Sequence, residues 1–209
     1  MSARGKFISL EGGEGVGKST QARALAAALR ARDMEVVETR EPGGSPGAEA
    51  IRALLLEGGS DRWNARAEAL LFAAARADHV DKLIRPALAR GAWVVCDRFV
   101  DSSLAYQGGA DALGPEAIRV LHRIGSGGLL PDRTLLLTVP EEQAAAREAA
   151  RDGGRPDRFG ARDRAYNATV TATFRAMAEA EPGRFRIVPG EGGPAEVTAR
   201  LLAAVGDLL

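Results

Sequence analysis

Cysteine is almost absent from this chain: of 209 residues only Cys96 carries a thiol, so no internal disulfide is possible and a reducing, cytoplasmic setting is expected. Cys96 ends the apolar run Trp93-Val94-Val95-Cys96, where a buried thiol behaves as a small hydrophobe. Histidine is nearly as scarce, and neither His79 nor His122 has a partner at metal-ligand spacing. Long apolar runs are missing as well. No stretch approaches about 18 uncharged apolar residues, and Met1 to Lys6 lead into the first apolar segment without a signal-like core, so neither a membrane span nor signal-directed export is expected. Nor is there an excess of charge of one sign. Lys plus Arg and Asp plus Glu both number 28, which leaves no global basic field for nucleic acid. Asparagine occurs only at Asn64 and Asn167, neither followed by lysine, so the base-reading motif of a GTPase switch is lacking.

What is present centres on one stretch, Leu10-Glu11-Gly12-Gly13-Glu14-Gly15-Val16-Gly17-Lys18-Ser19-Thr20, which fits the phosphate-cradling pattern G-x-x-x-x-G-K-[ST]. Glycines let successive backbone N–H groups turn inward on a phosphate. The lysine reaches the β- and γ-phosphates, and the serine hydroxyl can ligate Mg²⁺ at a helix N-terminus. Phe7 to Leu10 reads as a buried strand before the loop, and Ala22, Leu25, Ala26 and Leu29 recur after it at helical spacing, up to Arg32. Strand, glycine-rich turn and helix therefore stand in the order the motif requires.

Strands are also expected at Glu35 to Thr39, Ala92 to Asp97, Arg133 to Val139 and Arg184 to Val188. Helices are expected at Ala48 to Leu56, Asn64 to Ala89, Pro115 to Ile124, Glu141 to Ala150, Arg162 to Ala180 and Ala195 to Leu209. In the long helix Leu70, Leu71, Ala74 and Ala75 are placed on one face, with Phe72 and Arg76 side by side on another. Such alternation gives an α/β fold, a parallel sheet covered on both faces, and 209 residues with 45% hydrophobic content suit a single domain.

Loops at the carboxyl ends of parallel strands line the ligand crevice, which turns Arg40 and Glu41 toward the phosphate loop; a solvated turn is the other reading of that segment. Asp97 ends its strand where an acidic residue helps to hold Mg²⁺. The segment Phe99 to Gly108, dense in hydrogen-bonding side chains, follows as a loop. Phe72 and Arg76, read alone, make a core ring beside a snorkelling guanidinium. Arg151 to Gly160 places three arginines among glycines, a proline and aspartates, either an ordinary exposed loop or a mobile lid for phosphates, at about residues 150–161. Cations of that kind suit phosphoryl transfer to an anionic acceptor, and an ionised phosphate monoester needs no dedicated general base. Another monophosphate kinase, a general ATPase and a non-catalytic nucleotide-dependent regulator remain alternatives.

These segments together resemble thymidylate kinase of the bacterial type over essentially the whole chain. The resemblance is carried by Leu10 to Thr20, Thr39-Arg40-Glu41-Pro42-Gly43-Gly44, Phe72 to Arg76, Asp97-Arg98, Ser102 to Gly108, Pro131-Asp132 and Asp157-Arg158-Phe159. It implies the P-loop nucleoside-monophosphate-kinase fold with a five-stranded parallel sheet, transfer of the γ-phosphate of ATP to dTMP, Mg²⁺, and a homodimer. By position it assigns Gly12, Gly13, Glu14, Gly15, Val16, Gly17, Lys18, Ser19 and Thr20 to ATP, with Arg147 and Arg151. Ser19 and Asp97 fall to the metal. Glu14, Arg40, Pro42, Phe72, Arg76, Arg98, Ser102, Ser103, Tyr106 and Gln107 fall to dTMP, with Phe72 stacked on thymine. Lys18, Arg98, Arg155 and Arg158 are the catalytic set. Two positions depart from the family pattern: Gly160 replaces a lid glutamate, and Thr138 replaces the aspartate that usually ends the fourth strand.

Overall fold

A computed structural model describes residues 4–59, 61–152 and 163–209. Five strands, β1 (Phe7–Glu11), β2 (Val36–Arg40), β3 (Trp93–Asp97), β4 (Arg133–Thr138) and β5 (Phe185–Pro189), form one sheet in the order β2-β3-β1-β4-β5, every pair parallel. Parallel strands need crossovers, and helices supply them on both faces. The helices are α1 (Lys18–Arg30), α2 (Pro46–Leu56), α3 (Ala65–His79), α4 (Arg85–Ala89), α5 (Val100–Ser103), α6 (Pro115–Ser126), α7 (Glu141–Asp152), α8 (Arg164–Ala180) and α9 (Pro194–Ala204).

Alternation along each strand sorts the core into two layers. Ile8, Leu10, Val95, Leu135 and Leu137 face Leu25 and Leu29 of α1 and Val197 and Leu201 of α9. Phe7, Val94 and Cys96 face the other way, onto Val80, Ile84 and Leu88, while Leu136 and Phe185 pack with Tyr106 and Phe174. Burial pushes the Cys96 thiol well up, which keeps it an inert apolar side chain. The five-stranded parallel sheet expected from the sequence is therefore present.

Two local expectations change. Leu70 is 57% exposed and Ala74 is exposed too, whereas α3 buries Glu68, Ala69, Ala75, Arg76 and His79. Charged groups go inward on this helix because hydrogen-bonding partners on other segments meet them there. Secondly, the segment after Asp97 is not a loop: α5 continues as a π-helical stretch, Leu104–Ala110, carrying Tyr106 and Gln107 on a rigid element. A second π turn, Val80–Ile84, joins α3 to α4.

Candidate active site

The phosphate loop is built where backbone must pass closer to its neighbours than any side chain allows. Gly15 has φ +70°, and a Cβ there would collide with the Ala144 carbonyl of α7. Gly17, left-handed at φ +96°, turns the chain directly into α1. Lys18 opens that helix, is buried, and donates from Nζ to the Gly13 carbonyl at 2.5 Å. Burial and the neighbouring Arg98 lower its pKa to about 8.

Opposite the loop, Ser19 Oγ donates to Asp97 Oδ2 at 2.5 Å, across from the end of β3. Asp97 Oδ1 is buried and has no hydrogen-bond partner among the described residues. A hydroxyl and a carboxylate with an unused oxygen form the hard-oxygen pair that suits Mg²⁺, which takes one or two protein ligands beside phosphates and water. The residues present fit that ion.

Arg98 follows in the left-handed region, φ +69°, a conformation that costs a non-glycine residue and here aims its guanidinium at the phosphate loop. Its Nη2 pairs with Glu14, and its Nη1 donates to the Gly12 carbonyl at 3.3 Å and to Ser102 Oγ at 3.1 Å. The guanidinium lies over the Tyr106 ring, 5.2 Å from its centroid. Burial opposes the charge, but Glu14, Tyr106 and Asp97 outweigh it and keep Arg98 protonated. Beneath it Glu11 accepts from the Phe99 N–H at 2.7 Å and from Ser102 Oγ at 2.6 Å. Those two bonds fix the chain on the far side of Arg98.

A second wall joins α3 to the helical segment after β3. Arg76 donates from Nε to Glu41 Oε2 at 2.7 Å and from Nη2 to Ser103 Oγ at 2.8 Å. Gln107 Nε2 donates to Glu68 Oε1 at 3.0 Å. Phe72, half-buried, stands on α3 four residues from both Glu68 and Arg76. Glu41 is held a second time by His79 Nδ1 at 3.0 Å, and His79 Nε2 lies 2.8 Å from Thr39 Oγ1.

Glu14, Gly15, Gly17, Lys18, Ser19, Asp97, Arg98 and Arg147 thus line one cleft of about 200 Å³. Arg147 reaches it from α7 while bonding the Gly190 carbonyl at 3.3 Å. Gly12 and Gly13 meet Arg98 and Lys18 through their carbonyls, Val16 packs in the core behind the loop, and Thr20 is exposed on α1. Pro42 is buried after a cis peptide bond. Of the neighbouring pair Arg40 and Glu41, only the glutamate turns inward; Arg40 is exposed and pairs with Glu49 at 3.0 Å. Arg151 lies in the last turn of α7, and Arg155, Arg158 and Gly160 lie outside the described residues. Sequence reasoning gave no role to Glu11, Glu68, His79 or Asp101. The available signal was a carboxylate bounding an apolar strand, as at Glu11, or recurring at four-residue spacing with Phe72 and Arg76, as at Glu68.

Residues 10–201 match the family model for thymidylate kinase. The chain is 68% identical to a thymidylate kinase from Rhizorhabdus wittichii, over 98% of this chain and 99% of that one. It is 52% identical to a thymidylate kinase from Gluconobacter oxydans, over 100% and 98%. The crystal structure of thymidylate kinase from Ehrlichia chaffeensis superposes with a TM-score of 0.77 at 27% identity, covering 97% of this chain and 99% of that one. With the family model matched over residues 10–201 and relatives matched over nearly their whole length, the chain belongs to the thymidylate kinase family, enzymes that use ATP to phosphorylate dTMP to dTDP for dTTP synthesis.

Proposed function

We propose that phosphoryl transfer runs across the cleft between Lys18 and Arg98. The carrying observation is that Lys18, buried, and Arg98, half-buried, line one cleft together with Ser19 and Asp97. The amides of Gly12 to Thr20 take the ATP phosphates, Arg147 packs against adenine and Arg151 adds a donor-side cation. Ser19 and Asp97 hold Mg²⁺, which when bound neutralises charge on the donor phosphates. Arg98 holds the acceptor phosphate with Glu14, Ser102 and Tyr106 around it. Phe72 stacks on thymine beside Arg76, Ser103 and Gln107, over buried Pro42, and Arg40 contributes from the rim.

An ionised oxygen of the dTMP 5′-phosphate attacks the γ-phosphorus, and the bond to the β–γ bridging oxygen breaks, leaving that charge on ADP. No proton needs to be removed from the acceptor, so no side chain has to act as a general base. Two like-charged nucleotides meet, and Lys18 and Arg98, joined by Arg155 and Arg158 from a lid at about 150–161, offset their repulsion. The whole chain, 1–209, acts as one kinase domain.

The protein works in the cytoplasm as a homodimer and takes no nucleic acid. Support for the dimer is an apolar surface on α3 and α6: Leu70 is 57% exposed and Ile124 80% exposed, on helices packed together at Gly125 and Ala73. Among the described residues no helix is long and apolar enough to cross a membrane.

Lys18→Ala tests the assignment. Removing a preorganised cation from charge that develops in transfer should lower kcat about 10²- to 10³-fold with the far-UV spectrum and melting temperature kept. A folded Lys18→Ala protein with normal turnover would overturn it.

A further inference from the structure

Base recognition by Gln107 leaves one question of polarity, because an amide can present either an acceptor or a donor to the base. The structure answers it with a second layer. Glu68, Phe72 and Arg76 recur every four residues on α3, and Ser103 and Gln107 are four apart on the facing helical segment. Two hydrogen-bonded rungs join them, Arg76 to Ser103 at 2.8 Å and Gln107 to Glu68 at 3.0 Å, with Phe72 one turn from each. Glu68 is 1% exposed and Gln107 2%, so water cannot replace a partner lost at either.

A carboxylate only accepts hydrogen bonds. Facing Glu68, Gln107 must therefore turn its NH₂ inward, as it does here, and its Oε1 is left to accept. Oε1 makes no hydrogen bond among the described residues. We propose that Glu68 is a positioning residue that fixes the Gln107 amide with its oxygen toward the base, and so makes the acceptor site reject cytosine. This rests on the assignment of Gln107 to the base pocket. Thymine and uracil carry an N3–H that donates to Oε1. Cytosine presents a bare N3 lone pair there, and its 4-amino group faces the donor-only Arg76. Arg76 is fixed in the same sense by Glu41, which takes Nε at 2.7 Å. An amide free to rotate would offer its NH₂ to N3 of cytosine and lose the distinction at that atom.

Glu68→Gln supplies that freedom at unchanged volume, since the new amide can accept from Gln107 or donate to it. The ratio of kcat/KM for dCMP to that for dTMP should rise about tenfold or more, the scale of one buried unpaired polar group, mainly through KM. The double variant Glu68→Gln with Gln107→Glu should return the ratio to the wild-type value, because residue 107 again only accepts. An unchanged ratio in Glu68→Gln, or a double variant that takes dCMP as well as Glu68→Gln does, would overturn the proposal. If Glu68→Gln does not fold, the double variant alone decides: a dCMP-to-dTMP ratio at the wild-type value supports the polarity lock, and a raised ratio overturns it. Gln107→Ala separates the two levels. A raised KM for dTMP with no change of ratio in Glu68→Gln removes only the role of Glu68; an unchanged KM in Gln107→Ala removes the pocket assignment, and Glu68's role with it.

Discussion

Glu11 ends β1 fully buried, with both carboxylate oxygens on the chain that carries Arg98. Burial, with Asp101 nearby, raises its pKa from 4.5 to about 8. Across that window the native state holds a proton that the unfolded chain has released, so the group's contribution to stability falls as pH rises from about 4.5 to about 8 and then levels. Lys18 works in the opposite sense and later: its lowered pKa makes the unfolded chain the proton-richer state only above about 8. Glu11→Gln should therefore flatten the decline below pH 8 and leave the Lys18-dependent rise. Urea titrations at intervals from pH 5 to 9 measure this, and parallel profiles for the two proteins would mean that Glu11 titrates as an ordinary carboxyl. In the free enzyme Lys18 loses its charge above about pH 8, so kcat/KM for ATP should decline as pH passes that value.

At the scale of elements, the helical segment after β3 is tied to the sheet by Asp101, which is 0% exposed. It pairs with Arg184 at 2.6 and 2.9 Å and accepts from Thr134 Oγ1 at 3.0 Å. Arg184 directly precedes β5, so one ion pair joins α5 to the far strand of the sheet. Arg184→Met would leave a buried carboxylate uncompensated, and about 3–5 kcal/mol of stability should be lost in a denaturant titration. A loss below ~1 kcal/mol would show that Thr134 alone satisfies Asp101.

The same segment marks where sequence reading stopped. β1, the phosphate loop and α1 were legible because their pattern is local: an apolar run, fixed glycines, and period 3.6. That Phe72 and Arg76 share a helix face was legible for the same reason, but local spacing alone set Arg76 snorkelling to water, whereas it is 3% exposed, and only the family resemblance gave the pair a role. Val100–Ala110 was not, since its serines, glycines and glutamine favour caps and turns over helix interiors, and tertiary contacts with α8 and α6 override that preference. Nor was the inward face of α3. Glu68 and Arg76 are buried by partners 39 and 27 residues away in sequence, and no local window contains them. Arg40 and Glu41, adjacent in sequence, point apart because β2 ends between them and its last side chain meets Glu49.

Across the whole molecule, β3 and β1 lie at the centre of the sheet and deliver Asp97 and the phosphate loop to the same edge, with Leu10 paired to Asp97 in register. That register sets Asp97 beside the phosphate loop, and it follows from parallel pairing rather than from any one contact. The surface of α3 and α6 belongs to the same scale. Ile124→Glu changes a residue that is exposed within one chain, so stability of the protomer should move by no more than about 0.5 kcal/mol. The mass measured by light scattering at micromolar concentration should nevertheless fall from two chains to one. A wild-type protein that is already monomeric there, or an Ile124→Glu dimer, would place the apolar surface outside the interface.

The central claim is that this cleft transfers phosphate to a thymine monophosphate, and acceptor choice tests it most directly. In the proposed pocket a pyrimidine stacked on Phe72 would present O4 to Arg76 and N3–H to Gln107, while the thymine methyl in an apolar pocket would contribute only about 1–3 kcal/mol. Tyr106, which the proposed site sets beside the sugar, would disfavour a 2′-hydroxyl. In a coupled ADP-release assay kcat/KM should therefore fall in the order dTMP, dUMP, UMP, with dCMP and purine monophosphates near background and ATP largely intact when no acceptor is added. A purine monophosphate or dCMP matching dTMP, or ATP hydrolysed as fast without acceptor as with it, would contradict the account.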